Sequence, residues 1–304
     1  MVHSLRFQVL SVPNVPMKDL LDRHLWLESL GIEVGAIADH FVDWTKPTNS
    51  WFECWTTLAA IAAQTSTIRL TTGVSQIPLR HPAMLARQAI TIDHISGGRF
   101  EVGLGTGLTI DPSYEIMGID NWSAGERVSR FGEYVEIVDR LLSNEVTSYS
   151  GRYYEVRDAT MQPRPVQTPR PPIMIAALAS KMLRHAARYA DIWNSLSFEA
   201  ALPLQLAETR ARVEAIDAAC AAIGRDPTTL RRSYTLFDAQ ARPKGGRIAY
   251  YDSAELFVEM VEQAVALGMS EIGLYYPMDP TQLPAFEQIA TDVLPQLRRR
   301  HAAI

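Results

Sequence analysis

Short apolar runs alternate with amphipathic stretches from one end of the chain to the other. Arg6–Val12, Glu33–Ala38, Ile68–Val74, Phe100–Leu104, Ile173–Ala177, Asp191–Asn194, Leu230–Phe237 and Glu271–Tyr276 read as strands. Most have the continuous apolar or β-branched character of parallel strands covered on both faces. Helical patterns fill the intervals, at Lys18–Leu30, Trp51–Gln64, Pro82–Ser96, Ala124–Leu142, Lys181–Tyr189, Leu202–Ile223 and Ser253–Leu267. "LGIEVG" and "LGMSEIG" repeat one grammar of helix end, glycine, short loop and strand. Eight strands, each but the last clearly followed by a helix, predict a single (β/α)8 TIM barrel spanning 1–304 in preference to a large open α/β sheet.

One segment breaks the alternation. Between the fourth helix and the fifth strand, "TSYSGRYYEV" reads as a small hairpin and "PRPVQTPRPP" as an extended connector. This excursion, about 145–172, is an insertion in the barrel and not a second domain.

Composition narrows the function classes. Of 304 residues, 47% are hydrophobic and 21% charged, as in a soluble globular protein. The net charge of -5 and the lack of a basic stripe argue against a nucleic-acid surface. The one local basic run, Arg298 to His301, reads as a solvated helix end. No apolar run approaches the roughly 20 residues needed to span a bilayer, so no membrane partner is expected. "MVHSLRFQVL" has no secretory pattern, and two distant cysteines, Cys54 and Cys220, do not form a disulfide framework. A reducing cytoplasm is the default expectation.

In a barrel of this class the chemistry sits at the C-terminal ends of the strands. Strand two ends in Asp39-His40, with Trp44 four residues on, in "EVGAIADHFVDW". Strand three ends at Gly73-Val74, strand four in "GLGTG" (Gly103 to Gly107), and strand five in "AALAS", Ala176 to Ser180. Each piece has a plain structural reading: a satisfied histidine, a capping aspartate, a packed tryptophan, a tight glycine turn, an N-cap serine. The functional readings are an acid–imidazole pair, a glycine loop that lets a flat ring approach the backbone, and a helix N-terminus that binds phosphate. "GLGTG" is no dinucleotide fingerprint, because Leu108 stands at the third glycine. The histidines form no metal-ligand pair at helical spacing. None of the lysines, Lys18, Lys46, Lys181 and Lys244, ends a predicted strand, which disfavours Schiff-base chemistry.

At "RHPAMLARQAITIDHISGGRFEVGLGTG", Arg80 to Gly107, the chain resembles the luciferase-like monooxygenase superfamily. The likeness extends to "WTTLAAIAAQTSTIRLTTGV", "ERVSRFGEYVEIVDRLL" and "PRPPIMIAALASKMLRHAARYADIWN", covering roughly Gly31 to Asn194. It implies an eight-fold α/β barrel and an oxidoreductase dependent on the deazaflavin coenzyme F420, moving hydride between cofactor and a small organic substrate. It places Asp39 against the ring system, His40 as acid/base, Trp44 as a pocket wall, and a non-prolyl cis peptide at Gly73-Val74. It puts Thr106 and Gly107 at the ring edge and Ala177, Leu178, Ala179 and Ser180 at the cofactor phosphate. Trp193, Asn194 and Tyr275 are candidates for the substrate wall. The alternatives are an FMN-dependent two-component monooxygenase served by a flavin reductase, and a non-catalytic flavin-binding barrel. Family members are often homodimers. One departure stands out: phosphosugar dehydrogenases of the deazaflavin branch carry a glutamate directly after "GTG", where this chain has Leu108, with Asp111 displaced by three residues.

Overall fold

The computed structural model describes residues 3–241 and 245–302, so Lys244 lies outside the described residues. The strands are β1 (Arg6–Ser11), β2 (Val34–Ile37), β3 (Arg69–Thr72), β4 (Ser75–Gln76), β5 (Phe100–Gly105), β6 (Val146–Ser150), β7 (Glu155–Thr160), β8 (Ile173–Ala176), β9 (Ile192–Ser195), β10 (Arg231–Thr235) and β11 (Glu271–Tyr275). The helices are α1 (Met17–Ser29), α2 (Cys54–Gln64), α3 (Pro82–Ser96), α4 (Ser113–Met117), α5 (Ala124–Ser143), α6 (Ser180–Tyr189), α7 (Leu202–Ala221), α8 (Ala254–Ala266), α9 (Leu283–Gln288) and α10 (Leu294–Arg300). Nine strands hydrogen-bond in the order β3-β2-β1-β11-β10-β9-β8-β5-β4, and β3 also pairs with β5. With β3 and β4 as one interrupted stave, this is the (β/α)8 barrel that the strand count predicts.

The strand predicted at 68–74 is broken in two. Gly73-Val74 is a cis peptide, as the resemblance implies, and separates β3 from the short β4. Two other differences lie at helices. The five-residue α4 is too short to show a period. The stretch after β11 is split into α9, a π turn at Ile289–Val293, and α10, with Pro284 and Pro295 in the first turns of the two helices. These prolines suit helix starts and interrupt the pattern read along the sequence.

Two compact units can be told apart. One comprises 12–25 and 36–176, the other the residues up to 11, 26–35, and those from 177 onward. In the first, β5 pairs with β3 (Leu70 opposite Phe100), with β4 (Gln76 opposite Gly105) and with β8 (Gly103 opposite Met174). Helix α3 starts on Pro82 after an N-cap His81 and stops at Gly97, whose φ of 64° is the left-handed C-cap conformation. Helix α5 begins at Ser123, whose hydroxyl accepts from Glu126 N. Its buried stripe runs Arg127, Phe131, Tyr134, Val135 and Val138. The predicted excursion is the antiparallel pair β6–β7 plus a connector. The Glu133 carboxylate accepts three successive amides of the hairpin turn, Arg152, Tyr153 and Tyr154. The buried Asp93 carboxylate accepts the amides of Val166 and Gln167 and so ties down the connector.

The second unit carries β1, β9, β10 and β11, with Gln8 and Thr235 both opposite Gly273. A Cβ at Gly273 would stand 2.8 Å from Thr235 Oγ1, so the position excludes any side chain. Rings of Tyr250, Tyr251 and Phe257 pack together beside β11, and the Tyr251 hydroxyl donates to the Tyr275 carbonyl at 2.7 Å.

A buried imidazole generates a test of this packing. His24 on α1 is fully buried, its Nδ1 2.8 Å from the Leu20 carbonyl. That contact makes Nδ1 the donor. Burial pushes its pKa down from 6.5 to about 4. Between these values the unfolded chain binds a proton that the folded chain does not. Stability therefore falls as pH drops from 6.5 towards 4, by about 3 kcal/mol in total. Urea unfolding across this window should show that loss in the parent chain, and His24→Leu should remove most of it. Parallel pH profiles for the two proteins would refute the assignment.

Candidate active site

The acid–imidazole pair leaves the end of β2 and enters two separate networks within the first unit. Asp39 turns inward and is only 2% exposed. Its Oδ2 accepts from Ser75 Oγ at 2.6 Å and from Trp55 Nε1 at 3.2 Å. Arg80 closes on both carboxylate oxygens and reaches Glu53 with its second nitrogen. Burial alone would lower the Arg80 pKa, but the Asp39 charge outweighs it and raises it. With both oxygens engaged, the Asp39 side chain holds Arg80, and through it Glu53 at the N-cap of α2.

His40 takes the other network. Its Nδ1 lies 2.6 Å from Asp111 Oδ2 on the loop after β5. Burial would raise the Asp111 pKa, but hydrogen bonds from His40, Ser113 and Gln76 hold it well below the usual carboxylate range. An ionised Asp111 accepts only, so Nδ1 carries the proton and donates. Nε2 has no partner among the described residues. The ring lies near-parallel to Trp44, with centroids 6.3 Å apart and planes at 15°, and edge-on to Trp51, whose Nε1 donates to the His40 carbonyl.

Gln76 joins the parts. Its Nε2 donates to the Asp39 carbonyl and to Asp111 Oδ2, each at 2.9 Å, and its Oε1 accepts from the Tyr114 hydroxyl. Tyr114 packs under the guanidinium of Arg127, 4.4 Å from its ring. Arg127, 2% exposed, donates to the carbonyls of Trp122 and Thr106 and to Asn121 Oδ1. It holds the two ends of the 106–122 loop together from inside.

Of the residues named from sequence, Asp39, His40, Trp44, Gly73, Val74, Thr106 and Gly107 fall in this unit. The glycines of this loop are closely packed against the protein itself. A Cβ on Gly103 would stand 2.0 Å from the Thr72 carbonyl oxygen, and one on Gly105 2.6 Å from Val74 Cγ2. At Gly107, with φ of 73°, it would stand 2.2 Å from the Tyr114 hydroxyl. The protein's own atoms fill the space beside these glycines on the Cβ side.

In the second unit, Trp193 is fully buried with Nε1 donating to the Ala177 carbonyl at 2.9 Å. Asn194 spends its amide donors on Ser233 and Thr235, and Tyr275 packs its ring against Phe237. Helix α6 starts at Ser180 with Ala179 as an N-cap that offers no side-chain bond. Its first-turn amides therefore keep the capacity to bind an anion that the resemblance assigns to Ala177, Leu178, Ala179 and Ser180.

Gln76, Arg80, Tyr114 and Arg127 were not picked out from sequence. Arg127 had a signal: it stands at the i, i+4, i+7 spacing on the apolar stripe of α5, where a charge needs a buried partner. Among the described residues no cluster of histidine, cysteine or carboxylate fits a metal ion, and no helix is long and apolar enough to cross a membrane.

Comparison with known proteins agrees with the barrel and the motif block. An F420-dependent glucose-6-phosphate dehydrogenase of Kineococcus radiotolerans is 31% identical over 173 residues, 57% of this chain and 50% of that protein. A pyrimidine monooxygenase of Stutzerimonas stutzeri is 29% identical over 236 residues, 75% of this chain and 63% of that one. The chain spans about half the length of the curated relatives it matches. The structure of an F420-dependent secondary alcohol dehydrogenase superposes with a TM-score of 0.81 at 16% identity, covering 97% of this chain and 99% of that one. The family model for luciferase-like monooxygenases matches residues 1–244, and the chain belongs to that family.

Proposed function

We propose that this protein is an F420-dependent oxidoreductase in which His40 exchanges a proton with a small organic substrate. The observation that carries the reading is the 2.6 Å contact between His40 Nδ1 and Asp111 Oδ2. It commits one ring nitrogen to a carboxylate and leaves the other as a proton acceptor or donor. This donor set suits a hydride cofactor. An alcohol that gives up hydride from its carbinol carbon must also lose its hydroxyl proton, and Nε2 would take it as the C=O bond forms. The bound deazaflavin would supply or accept the hydride. Asp111 would fix the tautomer and stabilise the imidazolium formed on proton uptake, and Trp44 would wall the site. The F420-dependent relative and the Asp-His…Trp spacing support this reading.

Titration of the purified chain with F420 and with FMN, each oxidised and reduced, tests the cofactor. Tight binding of the deazaflavin alone is expected. Preference for reduced FMN, with oxygen-dependent product, would replace this reading with that of a two-component monooxygenase.

His40→Ala should lower turnover by roughly 100- to 10,000-fold while changing cofactor affinity little. Equal loss of both would remove His40 from the chemistry. Asp111→Asn should lower turnover by less. In nitrogen-15 spectra of the imidazole it should also convert the single Nδ1–H tautomer into a mixture. An unchanged tautomer in that variant would refute the positioning role.

A further inference from the structure

The surface beside the His40–Asp111 pair is apolar where a polar one would be expected. Phe41 follows His40 and is 51% exposed, and Leu108 and Ile110 precede Asp111 at 46% and 70%. Ile116 and Met117 on α4 are exposed as well. Their backbones are tied to the pair. Phe41 N donates to Ser113 Oγ at 3.1 Å, Ser113 N donates to Asp111 Oδ1 at 2.8 Å, and Asp111 N donates to the Leu108 carbonyl. Two stretches of chain thus meet at the proton-transfer group and present large apolar side chains to solvent, a pattern that marks a binding surface.

The charges around it define what fits. From Gly105 to Asn121 there are three acids, Asp111, Glu115 and Asp120, and no lysine or arginine. The two arginines that reach the networks are spent, Arg80 on Asp39 and Glu53, and Arg127 on carbonyl oxygens. Lys46 lies on the turn closed by Asp43, whose carboxylate accepts the Lys46 amide. Leu108 itself stands where the phosphosugar branch has a glutamate. The 105–121 loop thus offers no cation to neutralise a phosphate or carboxylate on the substrate, and its acids would repel one.

We infer that the substrate is uncharged and carries an apolar arm of several carbons, which lies on Phe41, Leu108 and Ile110 while its oxygen-bearing carbon faces His40. This rests on the reading of His40 as the proton partner. Its charge class differs from that named for the glucose-6-phosphate relative.

The test is direct binding, followed by the fluorescence of Trp44 and Trp51 in the full chain, with and without cofactor. The probes are 2-butanone, 2-hexanone, 2-octanone and 2-decanone, with decanoate as the charged control. Affinity should rise roughly three- to fourfold per methylene until the surface is covered. Decanoate should bind at least tenfold more weakly than 2-decanone. Ile110→Asp and Leu108→Glu should each flatten the series, and both positions are exposed enough to take the change without loss of fold. A flat series in the parent chain, or equal binding of decanoate, would overturn the inference. So would a series that both variants leave intact, or a sedimentation shift showing that Ile110→Asp merely dissociates two copies of the chain. A steep series in a chain that binds neither F420 nor FMN would uphold the apolar surface and sink only the oxidoreductase reading.

Discussion

The side-chain amide of Gln76 is the constraint on which the site depends. An amide has a donating end and an accepting end, and a buried one is costly unless both are satisfied. Here the nitrogen is bound by the Asp39 carbonyl and by Asp111, and the oxygen by the Tyr114 hydroxyl. Those partners come from the end of β2, the loop after β5 and α4. No flip of the amide preserves these bonds, because the oxygen would then face two acceptors, the Asp39 carbonyl and Asp111 Oδ2. One buried residue on β4 thereby sets where Asp111 lies, and Asp111 sets which nitrogen of His40 is free.

Asp39 and His40 are consecutive and have opposite duties. A single residue's step along an extended backbone points neighbouring side chains to opposite sides. Asp39 meets Arg80, Trp55 and Ser75 on the buried side and anchors the strand end. His40 emerges on the accessible side, as the proposed proton exchange requires. Losing Asp39 would leave Arg80 buried without its main counter-charge, the costly half of a broken ion pair. The strand end that carries His40 therefore leans on the buried ion pair behind it.

Most of the fold was legible in the sequence, because apolar periodicity reports burial and the eight staves are buried. What periodicity could not show were elements too short to have a period, such as β4 and α4, and those interrupted by proline, such as α9 and α10. The site was half legible. Asp39, His40 and Trp44 stood out because polar and aromatic residues closed an apolar run. Gln76 and Tyr114 did not, since a glutamine on a two-residue strand and a tyrosine in a five-residue helix look like ordinary loop residues until three segments converge. The glycines of "GLGTG" were legible only in part, for a related reason. A missing side chain announces close approach, but it does not say by whom, and here the approaching atoms are Thr72, Val74 and Tyr114.

Replacing a glutamate at 108 by an aspartate at 111 changes more than position. A glutamate directly after the glycines would present a flexible acid at the rim. Asp111 is short and buried, its Oδ1 bonded by the Ser113 amide and its Oδ2 by Gln76 and His40. Such an acid is acceptor-only and cannot give a proton to a substrate, whereas it can hold one imidazole in one tautomer. Moving the acid inward also frees residue 108 for an apolar side chain at the surface. The same rearrangement that turns the carboxylate from a contact into a support thus turns the rim from polar to apolar. In the proposed reading, proton transfer and substrate charge are thus coupled through the place of one acid in the loop after β5.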